Sequence, residues 1–182
     1  MNEHRGPASG RRRFVAALTT AAIAQPALAQ ASAAPSADDL RFMRMALDEA
    51  QRGDFAFGAV IVRDGKAIAR GRNLGKTLHD PTAHGEMVAI RRCLAAHGPA
   101  SLQGSTLYTS GEPCPMCMGA ILWCHFGRMV YAASIAQLAS IMGQITVTSE
   151  DLAAHASFAP ISITGGVLAQ EAMALFTKPP AR

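Results

Sequence analysis

Gly58-Ala59-Val60-Ile61-Val62-Arg63-Asp64-Gly65-Lys66-Ala67-Ile68-Ala69-Arg70 is the stretch on which the fold class turns. Gly58 to Val62 is a short apolar run with β-branched residues, the composition of a buried strand. Asp64-Gly65 is a tight-turn pair, and Lys66 to Arg70 returns as a second strand, so the two make an antiparallel hairpin. Upstream, Ser36 is placed to cap a helix. Asp38 and Asp39 fall in its first turn, Leu40, Met43 and Leu47 recur at helical spacing, and Gly53 is a natural stop. Downstream, Gly71 to Pro81 is polar and irregular. Then come a helix from His84 to near Gly98, a strand at Ser105 to Ser110, and a helix opened by Pro113 and running through Trp123. A strand at Arg128 to Ala132, a short helix at Ser134 to Met142, a strand at Ile161 to Thr164 and a last helix at Val167 to Phe176 complete the order. Strands alternating with helices put a sheet between two helical layers. The expected architecture is a three-layer α/β/α sandwich with a central five-stranded mixed sheet, mixed because of the opening hairpin.

The chain has 182 residues, of which 49% are hydrophobic and 16% charged, which excludes a disordered polypeptide and suits one domain. No stretch reaches the ~18 uninterrupted apolar residues of a spanning helix. Four Cys, at 93, 114, 117 and 124, are too few and too clustered for a disulfide scaffold. Residues 1–29 read as an export signal. Arg11-Arg12-Arg13-Phe14 supplies a twin-arginine pattern, Val15 to Leu28 an Ala-rich stretch, and Ala27-Leu28-Ala29 a cleavage site. A periplasmic location is therefore expected, with no membrane contact once the signal is removed. The segment also carries most of the charge. The whole chain is +4; Arg5, Arg11, Arg12 and Arg13 against Glu3 make the segment +3, leaving 4 − 3 = +1 for the remainder. A near-neutral domain does not favour a nucleic-acid backbone as partner.

Two short motifs carry the chemistry. Thr82-Ala83-His84-Gly85-Glu86 and Glu112-Pro113-Cys114-Pro115-Met116-Cys117 each open an expected helix. Cysteines three apart share one helical face, so Cys114 and Cys117 can reach a single ion, with His84 as third ligand from the other helix. Cys124 lies seven residues past Cys117, about 10 Å along the same helix, and Cys93 nine past His84, about 13 Å, so neither joins that set. Three ligands leave a position open, as in catalytic zinc sites. Glu86, two residues after His84, is better placed as a proton carrier than as a ligand. Metal-activated water beside such a carboxylate performs hydrolytic deamination. The alternatives are a redox Cys pair or a small structural site.

H-x-E followed by P-C-x-x-C resembles the signature of the cytidine and deoxycytidylate deaminase superfamily. Together with Phe57-Gly58-Ala59-Val60-Ile61-Val62 and Leu107 to Ile121, the match is to the branch holding bacterial guanine deaminases, yeast-type cytosine deaminases and tRNA adenosine deaminases. The resemblance covers about Asp39 to Ala133 and, more weakly, the chain to Phe176, so residues 36–177 are expected to form the deaminase domain. It implies Zn2+ on His84, Cys114 and Cys117, and Glu86 as proton shuttle. It implies that Asn73 bonds the substrate ring and that Ala83 and the backbone from Ser110 to Glu112 border it. Trp123 matches a residue that lines the base pocket of guanine deaminases, and Phe57 is a pocket wall or plain core. For Asn73 the other reading is a turn residue; for Trp123, core packing. Gly85 stands where guanine and tRNA deaminases usually carry Ala, and no aromatic follows Phe176. The implied substrate is a free nucleobase or nucleoside, a guanine-like purine first and a cytosine-type ring second, and the implied assembly is a homodimer.

Overall fold

The computed structural model describes residues 34–177; the expected export signal at 1–29 and the tail 178–182 lie outside the described residues. Six helices and five strands run in the order α1 (Ala37–Ala50), β1 (Gly58–Arg63), β2 (Lys66–Arg72), α2 (Gly85–His97), β3 (Thr106–Gly111), α3 (Pro115–Trp123), β4 (Arg128–Ala133), α4 (Ile135–Ala139), α5 (Ser149–Ala154), β5 (Ser162–Thr164) and α6 (Ala169–Thr177), with one 3₁₀ turn at Pro99–Ser101. The strands make one sheet in the order β2-β1-β3-β4-β5. β1 is antiparallel to both β2 and β3, while β3, β4 and β5 are parallel. The sheet is therefore mixed, as the hairpin requires.

Alternation along each strand builds the three layers. Ala59, Ile61, Leu107 and Met129 face one way and pack with Ala89, Ile90 and Cys93 of α2 and Met118, Ile121 and Leu122 of α3. Val60, Val62, Tyr108 and Val130 face the other way, against Phe42, Met43, Ala46 and Leu47 of α1 and Ala172 of α6. The side-chain period of two assigns every strand residue to one helical layer. α1 settles so close to the sheet that a Cβ on Gly58 would collide with the backbone of Ala46 and Ala50.

One polar network is buried with the core. Asp39 accepts both guanidinium nitrogens of Arg128, at 2.7 and 3.1 Å, and the Tyr108 hydroxyl at 2.9 Å. Arg128 also reaches Thr164 at 3.2 Å, so α1, β3, β4 and β5 meet in one cluster. The Arg128 guanidinium holds the Asp39 carboxyl down at about 2.

The structure departs from the expected elements in four places. The fourth helix stops at Ala139, and α5 forms in a stretch for which no element was expected; Thr148 and Asp151 make a capping box at its start. α6 begins at Ala169, after Leu168 adopts a left-handed φ of 59°. Pro115, not Pro113, is the first helical residue of α3, which makes Cys114 the N-cap. His84 is likewise the N-cap of α2. Among the described residues no helix is long and apolar enough to cross a membrane.

Candidate active site

Both motifs end up at helix starts on the same helical layer. Before α2, the Asp80 carboxylate accepts the Thr82 N–H at 2.8 Å and the Thr82 hydroxyl at 2.6 Å, and Arg91 from inside the helix reaches Asp80 at 3.3 Å. The Leu74 N–H donates to the Ala83 carbonyl at 2.9 Å. This bonding presents His84 in an extended conformation at the N-cap. At the other start, Cys114 is extended at the N-cap of α3 and Cys117 is three residues on, which turns both sulfurs to one side.

His84 Nδ1 lies 3.7 Å from Cys114 Sγ and 3.6 Å from Cys117 Sγ. All three donor atoms fall within 4.8 Å of one another, and no other group among the described residues has this arrangement. Zn–S bonds of about 2.3 Å and a Zn–N bond of about 2.05 Å at tetrahedral angles separate sulfur from nitrogen by about 3.6 Å. The spacing and the donor types therefore fit a tetrahedral ion with its fourth position left over. The Cys114 thiol is pulled down to about 4, chiefly by the hydrogen bond from Cys117 and also by His84. Cys117 is pushed up because it donates to Cys114 and is buried. The His84 imidazole is pushed up by its bond to Cys114.

Glu86 is 2% exposed beside this cluster. Its Oε1 accepts the Thr109 hydroxyl at 3.2 Å; its Oε2 has no partner among the described residues. Burial pushes its carboxyl up. A buried polar atom left unbonded is costly, so such an atom points to a group that binds there.

The remaining residues divide. The Phe57 ring is nearly parallel to His84, at 9°, with centroids 6.4 Å apart, and its flank meets Phe176 of α6 at 4.9 Å. Asn73 is buried; its Oδ1 accepts the Gly75 N–H at 3.0 Å, and its backbone pairs with Phe57 and Asp54. Ala83 is fully buried next to His84. Ser110 turns its hydroxyl inward, accepting the Gly58 N–H and donating to the Ala56 carbonyl, both at 3.0 Å. Gly85 is forced by close approach: a Cβ there would stand 2.8 Å from the Phe57 carbonyl oxygen. Trp123 is not brought to the cluster and is not core. It is 73% exposed at the far end of α3, tilted against Phe158 with ring centroids 4.6 Å apart. It lies six residues past Cys117, about 9 Å along the axis. Cys93, bonded to Ser101, and Cys124, at the end of α3, also stay outside the cluster. Thr109, Asp80 and Phe176 are the contributors that sequence reasoning missed. A hydroxyl immediately before Ser110 was a weak signal for the first, and an Asp-Pro-Thr turn for the second.

Residues 36–133 match the sequence pattern of the cytidine and deoxycytidylate deaminase zinc-binding region. Guanine deaminase of Bacillus subtilis is 53% identical over 77 residues, 42% of this chain and 49% of that protein, so the match spans about half of that relative. The tRNA-specific adenosine deaminase of Agrobacterium fabrum is 36% identical over 124 residues, 66% of this chain and 82% of that protein. The solved structure of guanine deaminase from Nitrosomonas europaea superposes with a TM-score of 0.65 at 25% identity, covering 75% of this chain and 81% of that one.

Proposed function

This chain belongs to the cytidine and deoxycytidylate deaminase family, and we propose that it hydrolytically deaminates a free nucleobase or nucleoside, a guanine-like purine first. The net change is a ring carbon exchanging its amino group for oxygen: water and the aminated ring in, the carbonyl form and ammonia out. The observation that carries the reading is Glu86 Oε2, a buried carboxylate oxygen with no partner among the described residues, beside three donors spaced for one ion.

His84, Cys114 and Cys117 would hold Zn2+, whose chemistry when bound is the supply of a water nucleophile at neutral pH. Glu86 manages the protons. Thr109 anchors Oε1, which leaves Oε2 to take one proton of water and pass it to a ring nitrogen, and then to take the second and pass it to the departing amine, which leaves as ammonia. Its raised affinity for a proton, caused by burial, suits a group that must both take and give one. Phe57 and His84 set the plane of the substrate. Their rings are nearly parallel, at 9°, with centroids 6.4 Å apart, so a flat ring laid along this face would meet aromatic surface. The Asn73 amide, held by Gly75 at the neighbouring loop, is available to an edge of that ring.

Charge supports a small substrate. Residues 34–177 hold 11 Lys and Arg against 12 Asp and Glu, a net of 11 − 12 = −1. Binding to an RNA backbone rests on several well-placed cations. The Bacillus relative supports guanine, and the Agrobacterium relative supports a second reading, adenosine in tRNA. An ammonia-release screen of the purified protein against guanine, guanosine, adenine, cytosine, cytidine and a tRNA anticodon stem-loop separates them. Release from guanine is expected. Release from cytosine alone moves the assignment to a pyrimidine, and release from the stem-loop alone overturns the small-substrate reading.

Two further proposals accompany this one. Met116, Trp123 and Phe158 are exposed apolar side chains on and beside α3, and they support pairing with a second copy of the chain. A Trp123→Glu variant should then sediment as a monomer. The paired arginines before an Ala-rich stretch support export to the periplasm, which fractionation of the producing cells would test.

A further inference from the structure

Glu112 is 4% exposed and takes no part in the ion pairs of the described residues. Its carboxylate is nevertheless fully engaged. Oε2 accepts the N–H of Ile135, the first residue of α4, and Oε1 accepts the N–H of Ser149, the first residue of α5, each at 2.8 Å. Its own N–H donates to the carbonyl of Ala133, the last residue of β4, at 2.7 Å. One residue thus fastens the end of a strand and the starts of two helices. It stands two residues before Cys114, with Pro113 between them, and proline leaves that link a single backbone φ. The short path from Glu112 to the Cys114 sulfur is therefore stiff, and whatever fixes Glu112 fixes the sulfur.

We propose that Glu112 is a positioning residue for the metal site: by binding Ile135 and Ser149 together, it sets where Cys114 meets His84 and Cys117. This rests on the metal reading above and extends it. The arrangement makes the segment from Ala133 to Ser149 part of the support of the metal site, although none of its residues is among the three donors. Only a carboxylate of this length satisfies both amides at once. A carboxamide has one accepting oxygen and turns a donor toward the other N–H.

The test compares the parent with Glu112→Gln and with Asp151→Ala. The second removes the side-chain half of the capping box of α5, the Thr148 N–H to Asp151 carboxylate bond, and alters none of Glu112's partners. Each protein is loaded with Co2+ alone for its absorption spectrum, titrated with zinc against a competing chelator, and examined by amide exchange at Ile135 and Ser149. In Glu112→Gln, zinc affinity should fall about ten-fold, the lower end of losses for residues that orient ligands, and the Co2+ bands should shift. Asp151→Ala should match the parent in both. If Glu112→Gln loses protection at the two amides but keeps parental affinity and spectrum, the residue is a structural link only and the proposal is overturned. Equal weakening in Asp151→Ala overturns it too, since general loosening then explains the effect. Should Glu112→Gln fail to fold, Glu112→Asp, too short to span both amides, is expected to show the same direction, and parental affinity in it counts against the proposal. A parent protein that takes up no zinc overturns the metal reading itself and this inference with it.

Discussion

Glu86 is a carboxylate with one oxygen bonded and the other not, in a place where burial opposes its charge. Function and stability therefore pull in opposite directions at this residue. Glu86→Gln keeps the shape, removes the charge and should unfold at a temperature no lower than the parent. Its zinc content should stay at about one per chain while ammonia release falls by about 10²–10⁴-fold, the usual contribution of a general acid–base group. Metal analysis, thermal melts and turnover on one preparation check all three, and unchanged turnover removes Glu86 from the mechanism. The neighbouring glycine carries a different constraint. An added Cβ at Gly85 would press on the Phe57 carbonyl at 2.8 Å and on the Gly58 Cα at 3.1 Å. Gly85→Ala should cost about 1–3 kcal/mol, as overpacking does. It should also raise KM more than it lowers kcat, because the backbone it presses on carries the Phe57 ring that parallels His84. Urea midpoints and substrate titrations read the two effects separately; a stable variant with parental KM would show that the backbone gives way elsewhere.

The elements show how far local signals reach. α5 carries a box of the same kind as α1, Thr148 with Asp151 where α1 has Ser36 with Asp39. Thr148→Ala should cost about 1 kcal/mol and speed amide exchange in α5 while leaving α2 protected; equal exchange across both helices would mean that α5 is no separate unit. The box was readable in the sequence, but Ser149 to Ala154 lacks an apolar stripe long enough to mark a helix, so no helix was expected there. The metal motif was legible for the opposite reason. Cys114 and Cys117 are three residues apart, and a single turn of helix decides which way both point. Whether an aromatic at a helix end is covered depends on what packs there, and Trp123 is 73% exposed with only Phe158, 35 positions later, paired with it as an aromatic neighbour among the described residues. Glu112 was invisible as a link because its partners lie 23 and 37 residues away. That the sheet is mixed was legible from the hairpin, since a tight turn leaves an antiparallel partner as the one outcome; the order of the strands across the sheet was not, because it rests on pairings between distant segments.

On the scale of the molecule, the Asp39–Arg128 pair joins α1 to the parallel half of the sheet and makes the whole fold sensitive to acid. The folded carboxyl, at about 2, lies below its ordinary value of 3.8. A depressed acid stabilises the fold above its unfolded value, and the contribution is lost as pH falls from about 4 through 2. The shift amounts to about 2 kcal/mol. Urea midpoints should drop across that window, and Asp39→Asn should be weaker at neutral pH and lose most of the drop; an Asn variant with an unchanged acid profile would place the sensitivity elsewhere. The placement of the site along the chain has its own consequence. His84, Glu86, Cys114 and Cys117 all fall within 34 consecutive residues, on two helix starts separated by the single strand β3. A chain emerging from the ribosome thus carries every donor before β4, β5 and α6 have been made. Closing a loop of that length costs only about 0.6 kcal/mol more than closing one half as long. All the donors are thus made before Ile135 and Ser149, the two residues that, through Glu112, fasten the approach to Cys114, so the donor set precedes its own support in the order of synthesis.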